Sequence, residues 1–337
     1  MLLTWKNKMK RVSLLAVMLG LALMMVHTVQ ALPQSLDARG WLDRMSHAFK
    51  EQNYQGVLIY GDDQHWQTLK ITHGVVNGVE HERLLHLTGE AREVVRKGHD
   101  ITCIHPGENV MRLESHPNPL SQGFVHQSGA IDSYYHLGLE PGERIAGRAT
   151  QKVLLSPQDR YRYGYRLWLD EDSGLLLRSD LVDAQGRVLE RFQFAEIDIG
   201  QAIPSAAFEP EISGHRVVPH TTAQESSQSK TQTPEWQLSW VPRGFMETAS
   251  QVRRIGSADD VDGSLTTLMY TDGLAAITLF VDQADEKQIM SGLSQQWGPT
   301  SAVVRYLTTD TGKFRIAVVG EVPLMTAEKI AASVLPQ

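Results

Sequence analysis

Hydrophobic and polar residues alternate with a period of two along residues 159–194, which predicts antiparallel β-strands. One face of the first strand carries Tyr161, Tyr163, Tyr165, Leu167 and Leu169. The other face carries Arg160, Arg162, Arg166 and Trp168. Asp, Ser and Gly at 172–174 and 183–186 favour tight turns. The segment is therefore predicted to be a β-meander whose apolar face packs against another element.

The same alternation recurs upstream in short segments punctuated by Gly, Pro or Asn. Strands are predicted at 53–63, 65–74, 79–89, 91–98, 100–104, 109–114 and 144–157, with a short helix at 131–137. Before them, apolar residues recur at spacings of three and four, which predicts an amphipathic helix capped by Ser35 and ending near Glu51. This pattern indicates a curved antiparallel sheet with one helix, formed by residues 32–212.

Residues 213–235 are rich in Ser, Thr, Gln and Pro, which is typical of a linker. After it, residues 236–337 are predicted to form a small α+β domain. It contains a hairpin at 265–282 with a Thr-Asp-Gly turn, and strands at 301–307 and 313–323. Ile289, Leu293 and Trp297 suggest a helix stripe, and Thr326 is expected to cap a final helix.

The first residues are typical of a secretory signal peptide. Four basic side chains precede an apolar run at 12–26, and Val29 and Ala31 supply the small residues that signal peptidase needs. Cleavage is expected after Ala31, which makes the mature protein an exported one. Removing residues 1–31 changes the formal charge from -7 to -11, and a chain this acidic is poorly suited to non-specific nucleic-acid binding.

The sequence contains no pattern typical of a catalytic, metal or cofactor site. Cys103 is the only cysteine, so an internal disulfide and a cysteine-based zinc site are excluded, and a buried apolar role is expected. His81 and His86 are predicted to point to opposite faces of one strand, and His105 and His116 lack a completing carboxylate. No catalytic residue, metal or cofactor is therefore predicted.

The meander leaves two questions open. The arginines on its polar face either collect an anionic headgroup or form an ordinary charged outer face, and the outer face is favoured. The carboxylates at 170–172 are interpreted as a solvated turn. The tyrosines and leucines on the apolar face belong either to a closed core or to the lining of a ligand cavity.

Several long segments follow one another in the order and spacing of the RseB/MucB family, which the chain resembles over both predicted domains. They are NYQGVLIYG, GVEHERLLHLTGEAREVVRKG, RIAGR, DRYRYGYRLWLDEDSGLLLRSDL, YTDGLAAITLFVD and VVGEVP. This family comprises periplasmic negative regulators of the envelope-stress sigma factor (sigma-E or AlgU). The resemblance implies an N-terminal domain similar to LolA and LolB, an unclosed antiparallel β-barrel plugged by helices, followed by the smaller domain.

The resemblance also implies a regulatory function with no enzymatic step. The chain is expected to bind the periplasmic region of a single-span RseA/MucA-type anti-sigma factor and to shield it from DegS-type proteolysis. Lipopolysaccharide or other lipid is expected to relieve this shield. The domain formed by 32–212 is the expected lipid sensor, and 236–337 is expected to bind the anti-sigma factor, with homo-oligomers as a further option.

The expected lipid-binding residues come from the apolar strand faces and the facing helix: Tyr161, Tyr163, Tyr165, Leu167, Phe192, Phe194, Trp41 and Met45. Two other function classes remain. The first is a periplasmic lipid or lipoprotein carrier, which the second domain disfavours because a carrier needs no extra recognition module. The second is an exported hydrolase, which would require a cluster of titratable groups with perturbed pKa values.

Overall fold

The computed structural model describes residues 36–62, 64–98, 100–104, 131–211, 236–255, 263–284 and 292–337. Residues 37–337 pack as one compact unit. In the N-terminal region the elements are α1 (Ala38–Glu51), β1 (Tyr54–Gly61), β2 (Trp66–Val76), β3 (Val79–His86), β4 (Glu93–Lys97), β5 (Asp100–Ile104), β6 (Tyr135–Pro141), β7 (Thr150–Pro157), β8 (Gly164–Asp170), β9 (Leu176–Val182) and β10 (Val188–Ile199), with 3-10 turns at Ile131–Ser133 and Ser205–Phe208.

These strands form one antiparallel sheet in the order β5-β4-β3-β2-β1-β10-β9-β8-β7-β6. Helix α1 packs against β2 in one half of the sheet and against β6 and β7 at its far end. A single helix can reach both places only if the sheet curves round it. Among the described residues β5 and β6 are edge strands that do not pair with each other, so the barrel is unclosed. The predicted fold class, an unclosed antiparallel barrel plugged by helices, is confirmed, and α1 is the α-helix inside it among the described residues.

Helix α1 buries the apolar stripe that the sequence predicts, including Trp41, Met45 and Phe49. Its N-cap is Asp37, whose Oδ1 accepts a hydrogen bond from the backbone N–H of Gly40 at 2.8 Å. The prediction that Ser35 caps the helix is therefore wrong, since the helix begins after Asp37; Ser35 itself lies outside the described residues. The helix ends at Glu51 as predicted.

The two turns of the meander form as predicted, but its first strand starts later in the sequence than predicted. Gly174 and Gly186 take positive φ angles of 80° and 79°, which the tight turns require. Strand β8 begins at Gly164, so Tyr161 and Tyr163 precede it. Trp168, predicted on a polar outer face, is 5% exposed because the guanidinium of Arg178 covers its ring at 4.0 Å.

Two further predictions in this region need correction. The predicted helix at 131–137 is only a 3-10 turn, because Tyr135 already starts β6 and pairs with β7. The predicted strand at 144–157 begins at Thr150, and an isolated bridge joins Ile145 to Arg148 before it. The predicted strand at 109–114 lies outside the described residues, as do His105 and His116.

The C-terminal region forms a second antiparallel sheet. Its elements are β11 (Trp236–Leu238), β12 (Met246–Ile255), β13 (Gly263–Thr271), β14 (Ala276–Gln283), β15 (Leu293–Trp297), β16 (Thr300–Thr309), β17 (Gly312–Gly320), α2 (Leu324–Ala332) and β18 (Val334–Pro336). Six strands pair in the order β12-β13-β14-β17-β16-β15, and β11 pairs with β18. Helix α2 covers one face of the larger sheet and shares its core with Leu279, Ile316 and Val318.

Two helix predictions in this region are wrong. Leu293 and Trp297 lie on strand β15 and not on a helix. A spacing of four residues fits one face of a strand as well as one face of a helix, so the spacing could not distinguish them. Ile289 is outside the described residues. Thr326 does not cap α2, which begins at Leu324 after Pro323. The predicted hairpin with its turn at Asp272 forms between β13 and β14.

The expected signal peptide (1–31) and the whole of the expected linker (213–235) lie outside the described residues. In the part of the chain that is described, no helix has the length and apolar character needed to cross a membrane.

Candidate functional site

Five of the expected lipid-binding side chains meet inside the curved sheet, in one buried apolar cluster that we call the interior cluster: Trp41, Met45, Leu167, Phe192 and Phe194. Met45 and Leu167 are completely buried, and Phe194 is 1% exposed. The rings of Phe192 and Phe194 pack edge to face with centroids 5.2 Å apart. Tyr165 is partly buried and packs against this cluster. Helix α1 and the sheet thus hold these side chains against one another.

The other two expected lipid-binding residues, Tyr161 and Tyr163, lie against the C-terminal region instead. The carbonyl oxygen of Tyr161 accepts a hydrogen bond from Thr326 Oγ1 at 3.0 Å, and its hydroxyl accepts one from Lys329 Nζ at 3.1 Å. Its ring also packs on Trp240, with centroids 5.0 Å apart. The Tyr163 hydroxyl accepts a hydrogen bond from Gln296 Nε2 at 3.0 Å. We call this contact between the two regions the seam.

Arg162 is the central residue of the seam. Its Nη1 donates to Asp272 Oδ2 at 2.6 Å, and both side chains are completely buried. It also donates to Asp159 at 3.0 Å and to the carbonyl oxygen of Arg243 at 2.6 Å. Burial acts to lower the pKa of Arg162, but the hydrogen bonds and charges of Asp159 and Asp272 outweigh it and raise the pKa. The favoured interpretation of Arg162 as part of a charged outer face is therefore wrong.

Aromatic rings enclose this ion pair. The guanidinium carbon of Arg162 lies 5.3 Å from the ring centres of Tyr134 and Phe245, and 5.5 Å from that of Tyr135. Tyr135 Oη also donates to Asp272 Oδ2 at 3.3 Å. The seam therefore combines a desolvated charge pair with apolar packing, a combination that ties the two regions together directionally.

Three carboxylates from both regions lie at another part of the seam. Tyr60 Oη donates to Glu190 Oε2 at 2.6 Å. Burial raises the pKa of Glu190 to about 7, and the charges of Glu321 and Asp62 add to this shift. Burial also raises the pKa of Glu321, which follows β17. A carboxyl group with a pKa near 7 is partly protonated at neutral pH.

Two arginines of the meander, Arg178 and Arg191, are neutralised by one carboxylate. Arg178 and Arg191 both donate to Asp180, at 2.7 and 2.6 Å. The turn at 170–172 is likewise only partly solvated: Asp170 is 1% exposed and accepts hydrogen bonds from Arg148 and Ser173. These ion pairs neutralise arginines that could otherwise bind an anionic headgroup.

A cluster on the neighbouring strands β2 and β3 was not expected from the sequence. His73 Nε2 lies 3.1 Å from Glu80 Oε1, and these groups and Glu82 present nitrogen and oxygen atoms within 4.8 Å of one another. Arg96 donates to Glu80 at 2.5 Å and to Glu82 at 3.1 Å. The hydrogen bonds from His73 and Arg96 lower the pKa of Glu80 to about 2. Because Arg96 supplies the cationic charge here, we interpret the cluster as an ion-pair network.

Sequence reasoning missed the partners of Arg162 for a physical reason. Asp272 lies 110 residues away from it, and its only visible signal was the Thr-Asp-Gly turn. The β2–β3 cluster had a usable signal, since a hairpin with a turn at 77–78 places His73 opposite Glu82. Cys103 is 4% exposed, as its apolar surroundings predicted.

Comparison with known proteins matches both regions. The family model described as MucB/RseB N-terminal domain matches residues 37–212, and the one described as MucB/RseB C-terminal domain matches residues 230–335. The Pseudomonas aeruginosa sigma factor AlgU regulatory protein MucB is 34% identical over 318 residues, 94% of this chain and 96% of that protein. The Escherichia coli sigma-E factor regulatory protein RseB is 27% identical over 299 residues, 87% of this chain and 89% of that protein.

Solved structures agree with these matches. The complex structure of Pseudomonas aeruginosa MucA/MucB contains a chain that superposes with a TM-score of 0.73 at 33% identity, covering 89% of this chain and 99% of that one. A structure of MucB in complex with MucA(peri) gives a TM-score of 0.71 at 32% identity with the same coverage.

Proposed function

This chain belongs to the MucB/RseB family, and on that premise we propose that it is a periplasmic regulator that binds the periplasmic region of an RseA/MucA-type anti-sigma factor. Binding shields that region from DegS-type proteolysis and so keeps the envelope-stress sigma factor repressed. The observation that carries the proposal is the match to MucB over 99% of a chain solved together with MucA. The proposal requires no catalytic residue, cofactor or metal.

The negative net charge of the chain favours electrostatic steering of a basic partner segment. The formal charge of -7 becomes -11 if residues 1–31 are removed. A negative surface raises the association rate of a basic segment, and the effect weakens as salt screens it. We therefore expect the anti-sigma segment to bind through basic residues, at a rate that falls with ionic strength.

We further propose that lipid relieves the shield through the N-terminal half-barrel, residues 32–212. The acyl-chain lining would be the interior cluster with Tyr165, which supplies contiguous apolar surface. Because Met45 and Leu167 are inaccessible to solvent, an acyl chain reaches them only if α1 moves away from the sheet. The anionic part of lipopolysaccharide would remain outside, since Arg178 and Arg191 are engaged by Asp180.

The segment 161–167 offers a direct link from the interior cluster to the C-terminal region. Leu167 lies in the interior cluster, and six residues earlier Tyr161 contacts Thr326 and Lys329. In this proposal residues 236–337 bind the anti-sigma factor, and a shift of β8 on lipid entry alters the seam. Lipid weakens partner binding only if it binds the free form more tightly than the complexed form.

The experiment that tests this proposal is a calorimetric titration of residues 32–337 with the periplasmic segment of the anti-sigma factor. It is repeated with lipopolysaccharide, and with its delipidated polysaccharide as the matched control. We expect tight binding that lipopolysaccharide weakens at least tenfold and the polysaccharide leaves unchanged. Tight binding that is insensitive to lipopolysaccharide would contradict the proposal that the half-barrel senses lipid, and would leave the proposed shielding of the anti-sigma factor standing. Absence of binding contradicts the proposal and favours a lipid or lipoprotein carrier.

A further inference from the structure

Two carboxylates, one from each region, lie in the seam without a cation between them. Glu190 is on β10 of the N-terminal sheet, and Glu321 follows β17 of the C-terminal sheet. In the described part of the chain, neither forms an ion pair with Lys, Arg or His. This contrasts with Arg162 and Asp272, where the charges of the two regions are opposite and cancel.

The two charged groups that act on Glu190, Glu321 and Asp62, are both acidic. From β1, Tyr60 donates to Glu190 Oε2 at 2.6 Å, and Asp62 lies just beyond the same strand. From β8, Tyr165 also takes part: burial raises its pKa most, and the charges of Glu321, Asp272 and Glu190 add to the shift. From the C-terminal region, the charge of Glu321 raises the pKa values of both Glu190 and Tyr60. The hydrogen bond from the Tyr60 hydroxyl acts the other way and lowers the pKa of Glu190, but burial outweighs it.

Both carboxylates lie where the C-terminal region meets β10, since Gly320, which precedes Glu321, pairs with Ser301 just after the turn that carries Gly298. The turn between β15 and β16 brings Gly298 beside the β1–β2 hairpin, where a Cβ on Gly298 would lie 3.6 Å from the carbonyl oxygen of Leu189 and 3.7 Å from Asp62 Oδ2. Glu190 and Glu321 are half-buried in the closed seam, so opening it would expose both carboxylates more fully to water and separate their charges. The closed form therefore favours the neutral carboxyl groups, and the open form favours the ionised ones.

We propose that Glu190 and Glu321 form a proton-dependent clasp, in which protonation holds the two regions together and ionisation drives them apart. The clasp makes the seam sensitive to acidification without lipid or partner. It does not rest on the proposed function, because it concerns only the equilibrium between closed and open forms of this chain.

The direction of the pH dependence follows from the raised pKa of Glu190. Its ordinary value is 4.5 and its value in the closed seam is about 7. The closed form is fully favoured below pH 4.5, loses stability as the pH rises to about 7, and changes little above it. Since each pKa unit is a tenfold change in equilibrium, Glu190 alone shifts closing by up to about 300-fold. Glu321 acts in the same direction, because its pKa is also raised.

The test is hydrogen–deuterium exchange of residues 32–337 between pH 5 and pH 8, at fixed ionic strength and corrected for intrinsic exchange rates. Three variants accompany the wild-type chain: Glu190→Gln, the double substitution Glu190→Gln with Glu321→Gln, and Glu196→Gln. Glu196 is exposed on the same strand and serves as the matched control. Small-angle scattering at both pH values reports whether the chain expands.

We expect wild-type protection of peptides spanning the seam to fall by one to two orders of magnitude at pH 8, with core peptides unchanged. Glu196→Gln should behave like the wild type, and the double variant should stay protected and compact at both pH values. Equal seam protection of the wild type at pH 5 and 8 overturns the clasp, and this result needs no variant to fold. A pH dependence that survives in the double variant also overturns it.

Discussion

The interior cluster and the seam are both buried, but they use different chemistry. The interior cluster is apolar throughout, with Met45, Leu167 and Phe194 packed between α1 and the sheet. The seam is organised by charge, with Arg162 held by Asp159 and Asp272 inside a ring of aromatic side chains. Apolar burial has no preferred direction, whereas a buried ion pair holds two elements in one register. The difference suggests that the interior stabilises the fold and the seam sets how the two regions meet.

The interior cluster and the seam are also connected by a short stretch of sequence, residues 161–167. Residues 161–163 belong to the seam, and Tyr165 and Leu167 belong to the interior or its border. A movement at one end of this segment is therefore transmitted over a few residues. Substitutions at either end of the segment should therefore affect both the interior cluster and the seam.

Removing the seam cation should have the largest effect. Arg162→Met leaves Asp272 buried without its counterion, which we expect to cost about 4 kcal/mol of unfolding free energy. Urea denaturation of residues 32–337 measures this. Arg315→Met is the matched control, because Arg315 also pairs with an aspartate of the same region, Asp282, but is 47% exposed, and it should cost less than about 1 kcal/mol. Equal losses in the two variants would contradict the assignment of the seam.

Creating a cavity in the interior cluster should cost somewhat less. Leu167 is fully buried, so Leu167→Ala should lower the unfolding free energy by about 3 kcal/mol. Leu139→Ala removes the same atoms from a 41% exposed site on β6 and should cost about 0.5 kcal/mol. Seam peptides of Leu167→Ala should exchange faster in hydrogen exchange if the segment 161–167 transmits the change. If Leu167→Ala is destabilised but its seam peptides exchange at the wild-type rate, the segment 161–167 does not transmit changes from the interior cluster to the seam.

The β2–β3 cluster should define the acid limit of stability. The pKa of Glu80 is lowered from 4.5 to about 2, so its contribution is present above pH 4.5 and is lost as the pH falls toward 2. Its carboxylate keeps some contact with water, so we expect Glu80→Gln to cost about 1.5 kcal/mol at pH 7. Thermal melts from pH 7 to pH 3 should show a flatter acid limb in the variant. An unchanged acid limb would exclude Glu80 as its source.

The smallest effect is expected at the rim of the seam. Tyr163→Phe removes the hydroxyl that accepts from Gln296, which we expect to cost about 1 kcal/mol. A double-mutant cycle with Gln296→Ala isolates the pair in urea denaturation. A coupling energy near zero would show that this hydrogen bond does not contribute to closing the seam.

The sequence predicted the strands well where burial alternates and failed where other forces act. The alternation that placed Leu167 correctly was extended back to Tyr161, but the chain bends before Gly164 and turns Tyr161 and Tyr163 toward the C-terminal region. Leu293 and Trp297 fit a helix and a strand equally well by spacing alone, and pairing with β16 decided for the strand.

The interior cluster was predictable and the seam was not. The burial of Leu167, Phe192 and Met45 can be predicted from the sequence, because buried apolar residues recur with the period of their strand or helix. Arg162 and Asp272 are paired by tertiary folding across 110 residues, and Glu190 and Glu321 come from different sheets. No local pattern encodes such pairs, so a charged residue in an alternating segment was assigned to the surface.

The shield is best tested by the rate at which a DegS-type protease cleaves the periplasmic segment of the anti-sigma factor, with residues 32–337 in excess. We expect cleavage to slow at least tenfold when the segment is bound, and lipopolysaccharide to restore the rate while its delipidated polysaccharide does not. Cleavage that proceeds at the uninhibited rate while the segment is fully bound would contradict the shield.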